Sequence, residues 1–294
     1  MNMKKSTVSA AIAAVVLSAG MMGQAAAYTS AGSVAEFTNL EIDVLDAAGD
    51  PVVGSVNNFN FVTTNTTTLN GATIADSDNC AGTTLPFINT CNATSPRLDS
   101  DVQELGIAHG ENNFNLEGPA AAGNFSYSDS AILDAQLTGD AQTNASLIAE
   151  TVLNDTGAGN SSSEIQSTTG FTFDFTVTDE GSLTIAFDAL PIVYAESDNP
   201  GSLLTIAESS LQFVVELVQD SGGNGLAVWA PNGLIDGCSE LGGTVSCGSE
   251  TDDTSLNTKA SLSSDPASDL YSPGLGSYAL TFDGLIAGNW TLSL

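Results

Sequence analysis

Apolar and polar residues alternate with a period of two along much of this chain. In Phe171-Thr172-Phe173-Asp174-Phe175-Thr176-Val177-Thr178 every apolar side chain falls on one face, and Leu183, Ile185 and Phe187 continue the pattern. That period marks a strand with one buried face. The link Asp179-Glu180-Gly181 suits a hairpin whose last turn residue needs positive φ, so residues 170–190 read as a hairpin. A second hairpin is expected at the C-terminus, where Tyr278, Leu280 and Phe282 precede Gly284–Gly288 and Trp290, Leu292 and Leu294 follow. Further strands are expected at Leu40-Ile42-Val44, at Phe59-Phe61 and at Leu211-Phe213-Val215-Leu217. Between Ser128 and Leu153 helical spacing competes with alternation. The alternation of Leu133-Ala135-Leu137 and of Leu147-Ala149-Thr151-Leu153 favours two strands around a loop at Thr138–Asn144. Stretches dense in Gly, Asn and Ser, such as Asn154–Ser163 and Gly222–Gly225, separate the strands. Short strands with regular turn signals predict an all-β fold: an antiparallel β-sandwich, jelly-roll-like, formed as a single domain by residues 28–294.

The first 27 residues follow a different pattern. Lys4 and Lys5 precede an uncharged apolar run from Val8 to Met22, and Ala25-Ala26-Ala27 forms a small-residue cleavage site. This is the layout of a signal peptide, and the run is too short and wrongly flanked for a spanning helix. The mature chain is therefore expected outside the cell or at its surface, with no membrane span.

Export changes the charge balance. Arg97 and Lys259 become the only fixed positive charges, against 35 acidic residues. Nucleic acid is excluded as a partner, because neutralising phosphates needs clustered Lys and Arg. Carboxylates without cationic partners must be solvated or must hold cations, and both readings are open here. The cation reading has one candidate place. Asp76 and Asp78 precede Cys80, and Asp99 and Asp101 follow Cys91, so a Cys80–Cys91 bridge would let these four carboxylates converge on a Ca²⁺ ion. A second local pair, Cys238 with Cys247, completes an even set, and four cysteines in an exported chain are expected to be oxidised. Proximity favours the two local bridges.

Catalytic signatures are missing. The single histidine, His109, lies in a Gly-flanked stretch, and the sequence has no G-x-S-x-G elbow, no H-E-x-x-H and no phosphate-binding Gly-Lys pair. No catalytic residue is assigned.

Three stretches carry a resemblance: Gly170–Pro191, the tetrad Trp229-Ala230-Pro231-Asn232 with Gly233, and the ending GSYALTFDGLIAGNWTLSL. They resemble secreted β-rich proteins of Gram-negative bacteria, many of them cargo of the PEP-CTERM/exosortase sorting system associated with biofilm and exopolysaccharide. Such cargo ends in a Pro-Glu-Pro-type tripeptide, an apolar span and a basic tail, which the residues up to Leu294 do not contain. The resemblance implies an exported extracellular β-sandwich. The expected function is a non-enzymatic structural protein of a surface layer, matrix or filament, joined by strand complementation with Tyr28–Val34 as a donated arm or with both terminal strands completing their own domain. A Ca²⁺-dependent module binding extracellular polysaccharide is the alternative, and an exported hydrolase the third reading.

Overall fold

Alternating segments become strands, and the strands close two sheets over one core. The computed structural model describes residues 27–50, 56–69, 72–82, 91–99, 114–118, 125–133, 143–155, 163–197, 207–220, 225–262 and 267–294. Among them are seventeen strands: β1 (Ala27–Asp46), β2 (Val56–Leu69), β3 (Ala72–Gly82), β4 (Cys91–Asp99), β5 (Phe125–Leu133), β6 (Thr143–Asp155), β7 (Ser163–Val177), β8 (Gly181–Ser197) and β9 (Ala207–Leu211) in the first part of the chain. Then follow β10 (Val215–Gln219), β11 (Gly225–Trp229), β12 (Cys238–Gly243), β13 (Ser246–Asp252), β14 (Thr258–Leu262), β15 (Ala267–Tyr271), β16 (Gly276–Leu285) and β17 (Gly288–Ser293). The first sheet runs β13-β16-β8-β1-β6-β5-β4, with β15 also on β8; the second runs β12-β11-β10-β17-β7-β2-β3; β14 and β9 form a separate pair. These neighbours are antiparallel, and the architecture is an all-β sandwich.

The core follows from the alternation. On β8, Leu183, Ile185, Phe187 and Ala189 face inward, and on β7 Phe171, Phe173 and Phe175 meet them from the other sheet. Trp229, Tyr278 and Trp290 are fully buried in the same cluster. Burying each such aromatic side chain removes about 150–250 Å² from water, so these rings dominate the stabilisation. Towards the β2–β5 end the interior turns polar. Thr67 hydrogen-bonds Ser128 across the sandwich at 3.0 Å, and the Ser130 hydroxyl donates to Asn65 Oδ1 at 3.2 Å.

Both expected hairpins are instead arches between sheets. β7 lies in the second sheet and β8 in the first; β16 lies in the first and β17 in the second. Packed sheets stand about 10 Å apart, a gap that a few extended residues span. Gly181 has no positive φ either. Its lack of a side chain admits the Leu45 carbonyl oxygen, which a Cβ would overlap.

One further expectation is corrected. The run Leu211–Leu217 is two strands: residues 212–214 break it, sending β9 to pair with β14 and β10 to pair with β11 and β17. In this fold Ala27–Leu40 of β1 pairs with β6 and Thr29–Asp46 with β8, so the Tyr28–Val34 segment lies within its own sheet. The expected strand Leu147–Leu153 falls within β6, which also takes in Thr143 and Asn144 from the expected loop; of the expected strand Leu133–Leu137 only Leu133, the last residue of β5, is described, since residues 134–142 lie outside the described residues.

Candidate functional site

The expected calcium ligands fall on two edge strands. Asp76 and Asp78 are exposed on β3, at the edge of the second sheet, and each carboxylate accepts the backbone N–H of the next residue, Ser77 or Asn79, at 2.8 Å. Asp99 ends β4, at the edge of the first sheet; its side chain and the whole of Asp101 lie outside the described residues. Cys80 pairs in register with Phe61 and Cys91 with Ile132, and their side chains are likewise outside the described set. Among the described residues no group of three or more His, Cys, Asp or Glu side chains could hold a metal ion. His109 is outside them too. The second cysteine pair is a disulfide, Cys238–Cys247, tying β12 to β13. No helix among the described residues is long and apolar enough to cross a membrane.

The most heavily built polar cluster was not anticipated. Glu150 of β6 faces away from the main core and is fully buried in a second cluster of Val34, Phe125, Tyr127, Ile148 and Val152, with Leu116 packed on it. Its carboxyl accepts the backbone N–H groups of Glu117 and Gly118, both at 2.8 Å, and the Tyr194 hydroxyl at 2.6 Å. Tyr127 also bonds it. Burial pushes the Glu150 pKa up, while these hydrogen bonds pull it down. The net direction is upward, set by burial. The Tyr127 hydroxyl donates to Asn115 O at 2.9 Å. Burial and the neighbouring Glu150 raise both phenol pKa values as well. The arrangement clamps residues 114–118 onto the outer face of the first sheet. Gly32 completes it: a Cβ there would stand 2.6 Å from Tyr194 Cε1 and 3.0 Å from Leu116 Cδ2. The sequence did carry a signal, because Ile148, Glu150 and Val152 alternate as regularly as the inward-facing residues between them.

A second polar knot organises the loop after Trp229. Asp252 Oδ2 accepts the N–H groups of Asn232 at 2.6 Å and Gly233 at 2.9 Å, while Oδ1 is buried without a hydrogen-bond partner. Burial raises the Asp252 pKa against those same bonds. Trp229 Nε1 donates to Glu250 Oε1 at 2.8 Å, and Tyr278, hydrogen-bonded to Thr254, is pushed up to about 12 by burial. Asn257 staples three segments by donating to Phe213 O and Pro231 O while accepting from Phe213 N.

The third feature is a cleft of about 380 Å³ between the sheets, lined by Phe37, Phe61, Phe171, Phe187 and Phe213 with small residues such as Ala145, Ser167 and Thr169. None of its lining side chains is ionisable. Leu294 lies at its edge. β17 lies beside β7 from Val177 as far as Phe171, which exchanges both backbone hydrogen bonds with Leu294 at 2.9 and 3.0 Å. From Gly170 back to Ser163, β7 pairs with β2 alone among the described residues, and β9 pairs with β14 alone. Residues of β7 and of the β9–β10 break flank the cleft, and β1 and β6 floor it.

No family model, curated protein or solved structure matches this chain. Its function is therefore argued from its own geometry.

Proposed function

We propose that this chain is a non-enzymatic structural protein of a bacterial extracellular layer or matrix that associates with copies of itself. One observation carries the reading. Seven large apolar side chains are exposed among the described residues, and five of them (Val214, Leu234, Ile235, Leu270 and Leu275) sit on segments tied together around Ser255 and Asn257. Asn257 holds the strand break beside Val214 and the Pro231 carbonyl; Asn232 bridges to Ser255; the Tyr271 hydroxyl donates to Ser255 O at 2.9 Å. Ile235 is 82% exposed. An apolar cluster on rigid loops of so acidic a chain is an association surface, since isolated soluble domains rarely keep such clusters wet. The leader-like residues 1–27 and the Cys238–Cys247 disulfide support an extracellular setting. Terminal-strand donation has less support than this surface, because β1 and β17 are each paired on both sides.

Electron microscopy and sedimentation of the mature chain test the proposal, in millimolar Ca²⁺ and in chelator. Filaments, sheets or discrete oligomers support it. A strictly monomeric protein in every ionic condition overturns it.

A further inference from the structure

We propose that Asn232 and Gly233 form a self-modifying site, where the Gly233 nitrogen closes on the Asn232 side chain, expels ammonia and leaves a succinimide that water opens to aspartate or isoaspartate. The inference needs no association between copies.

The reaction makes three demands. The Gly233 N–H must lose its proton, the Asn232 side-chain carbonyl must take up negative charge at Oδ1, and water must reach the product. Each demand is met by a group already in place. Asp252 Oδ2 accepts the Gly233 N–H at 2.9 Å, within the reach of a general base. The Leu234 N–H donates to Asn232 Oδ1 at 2.8 Å, where the oxyanion develops. Asn232 is exposed, so the hydrolytic step is open to solvent. Asn232 Nδ2 donates to Asp236 Oδ1 at 3.3 Å, which with the Leu234 bond fixes the plane of the reacting amide.

Asp252 has the environment of a base. It is 8% exposed, and its Oδ1 is buried without a hydrogen-bond partner among the described residues. A carboxylate stripped of donors at one oxygen takes a proton more readily than a solvated one. The loop it faces is held on both sides of the reacting pair. Ala230 N–H donates to Gly237 O at 2.9 Å, and Asn232 N–H donates to the same Asp252 Oδ2 at 2.6 Å. Nucleophile, base and oxyanion donor are therefore positioned before the reaction starts, which is what makes an intramolecular step efficient. Glycine at 233 suits the site twice: its φ is +81°, and no side chain shields the attacking nitrogen.

The atoms balance within the loop. Asp252 takes the proton from Gly233 N, the N–Cγ bond forms, and the carbonyl pair moves to Oδ1. The pair returns, the Cγ–Nδ2 bond breaks, and Nδ2 leaves as ammonia with the proton that Asp252 received. Water then cleaves one of the two imide C–N bonds. Cleavage at Cγ leaves aspartate, and cleavage at the main-chain carbonyl leaves isoaspartate.

Asn-Gly pairs also stand at 70–71 and 224–225, with both asparagines outside the described residues. Such pairs react slowly in an unfolded chain, so a built site is recognised by a fold that speeds the reaction. The test incubates the mature chain at neutral pH, folded and unfolded in urea, and follows the peptide holding Asn232 by mass spectrometry for loss of ammonia and uptake of water. The folded chain is expected to react at Asn232 at least about tenfold faster than the unfolded one. Asp252→Asn keeps an oxygen for both backbone donors but removes the base, and is expected to slow the folded reaction by ~10²-fold while leaving the rate in urea unchanged. If that variant fails to fold, the folded and urea-unfolded rates of the original chain decide. A folded rate at or below the rate in urea overturns the proposal by showing that the loop protects Asn232. An undiminished rate in folded Asp252→Asn overturns it by removing the base.

Discussion

Gly181 packs against the carbonyl oxygen of Leu45, so closely that a Cβ would overlap it. Gly49, by contrast, has φ +84° and nothing within 4 Å of a built Cβ. These two glycines are needed for different reasons, and substitution separates them. Gly181→Ala forces β1 and β8 apart where they are paired and is expected to cost about 1–3 kcal/mol, as overpacking does. Gly49→Ala meets only the left-handed backbone penalty of about 1–2 kcal/mol, and Gly49→Asn recovers part of it. Urea unfolding of the four proteins checks the order: Gly181→Asn is expected to do worse than Gly181→Ala, the reverse of the trend at Gly49.

Glu150 gives a pH signature whose sign is fixed by its surroundings. Its folded-state pKa is raised by burial, so the folded chain binds the carboxyl proton more tightly than the unfolded chain does. This group therefore adds stability as pH falls through the raised folded value towards the ordinary carboxylate range, and loses it as pH rises again. Glu150→Gln stays neutral and turns an NH₂ towards a backbone donor, costing about 1–3 kcal/mol at low pH. The difference in melting temperature between the original chain and Glu150→Gln is expected to be largest in acid and to shrink above neutrality. A gap that widens with rising pH would show that Glu150 is charged in the fold.

Asp252 separates hydrogen bonding from charge in the loop after Trp229. Both accepted bonds go to Oδ2, and Oδ1 has no partner. Asp252→Asn keeps an oxygen for Asn232 and Gly233 and removes a partly buried charge, so it is expected to lie within about 1 kcal/mol of the original. Asp252→Ala leaves two backbone donors without an acceptor and is expected to lose about 1–3 kcal/mol. Thermal unfolding at neutral pH distinguishes them, and equal losses would mean that the charge itself holds the loop.

The Cys238–Cys247 bridge closes a loop with a sequence separation of 9. In the chain-entropy account such a loop contributes about 2–3 kcal/mol. The double substitution Cys238→Ser with Cys247→Ser is expected to lose that amount in denaturant unfolding, while β10, β11 and β17 stay folded because their pairing does not pass through the bridge.

Alternation made the strands and the buried face legible, because a buried face needs an apolar residue at every second position. It could not name the partner strand. The runs 171–177 and 183–187 have the same pattern whether they pair with each other or cross between sheets, and the link Asp179-Glu180-Gly181 is long enough for either. Leu211–Leu217 kept its alternation across residues 212–214, where the chain leaves one sheet for another. The polar clusters were hidden for a related reason. Glu150 is one acid among 35, and only the apolar residues on both sides of its strand show that a second layer covers it.

The exposed apolar end makes the sign of the salt dependence informative. Two copies, each with 35 acidic residues against four Lys and Arg, repel each other wherever they meet. Screening shortens that repulsion from about 30 Å at 10 mM salt to about 8 Å at 150 mM. Association through Leu234, Ile235 and Leu275 is therefore expected to strengthen with added NaCl, because apolar contact is not screened and the opposing charge is. Contacts built on ion pairs would weaken over the same range. Leu234→Asp with Ile235→Asp is expected to return the protein to monomer at 150 mM salt with its melting temperature nearly unchanged, since both side chains are exposed in the single chain and surface changes of this kind stay within about 0.5 kcal/mol. Sedimentation velocity across a salt series checks both expectations. Assembly that persists in the double variant would move the association surface elsewhere on the chain.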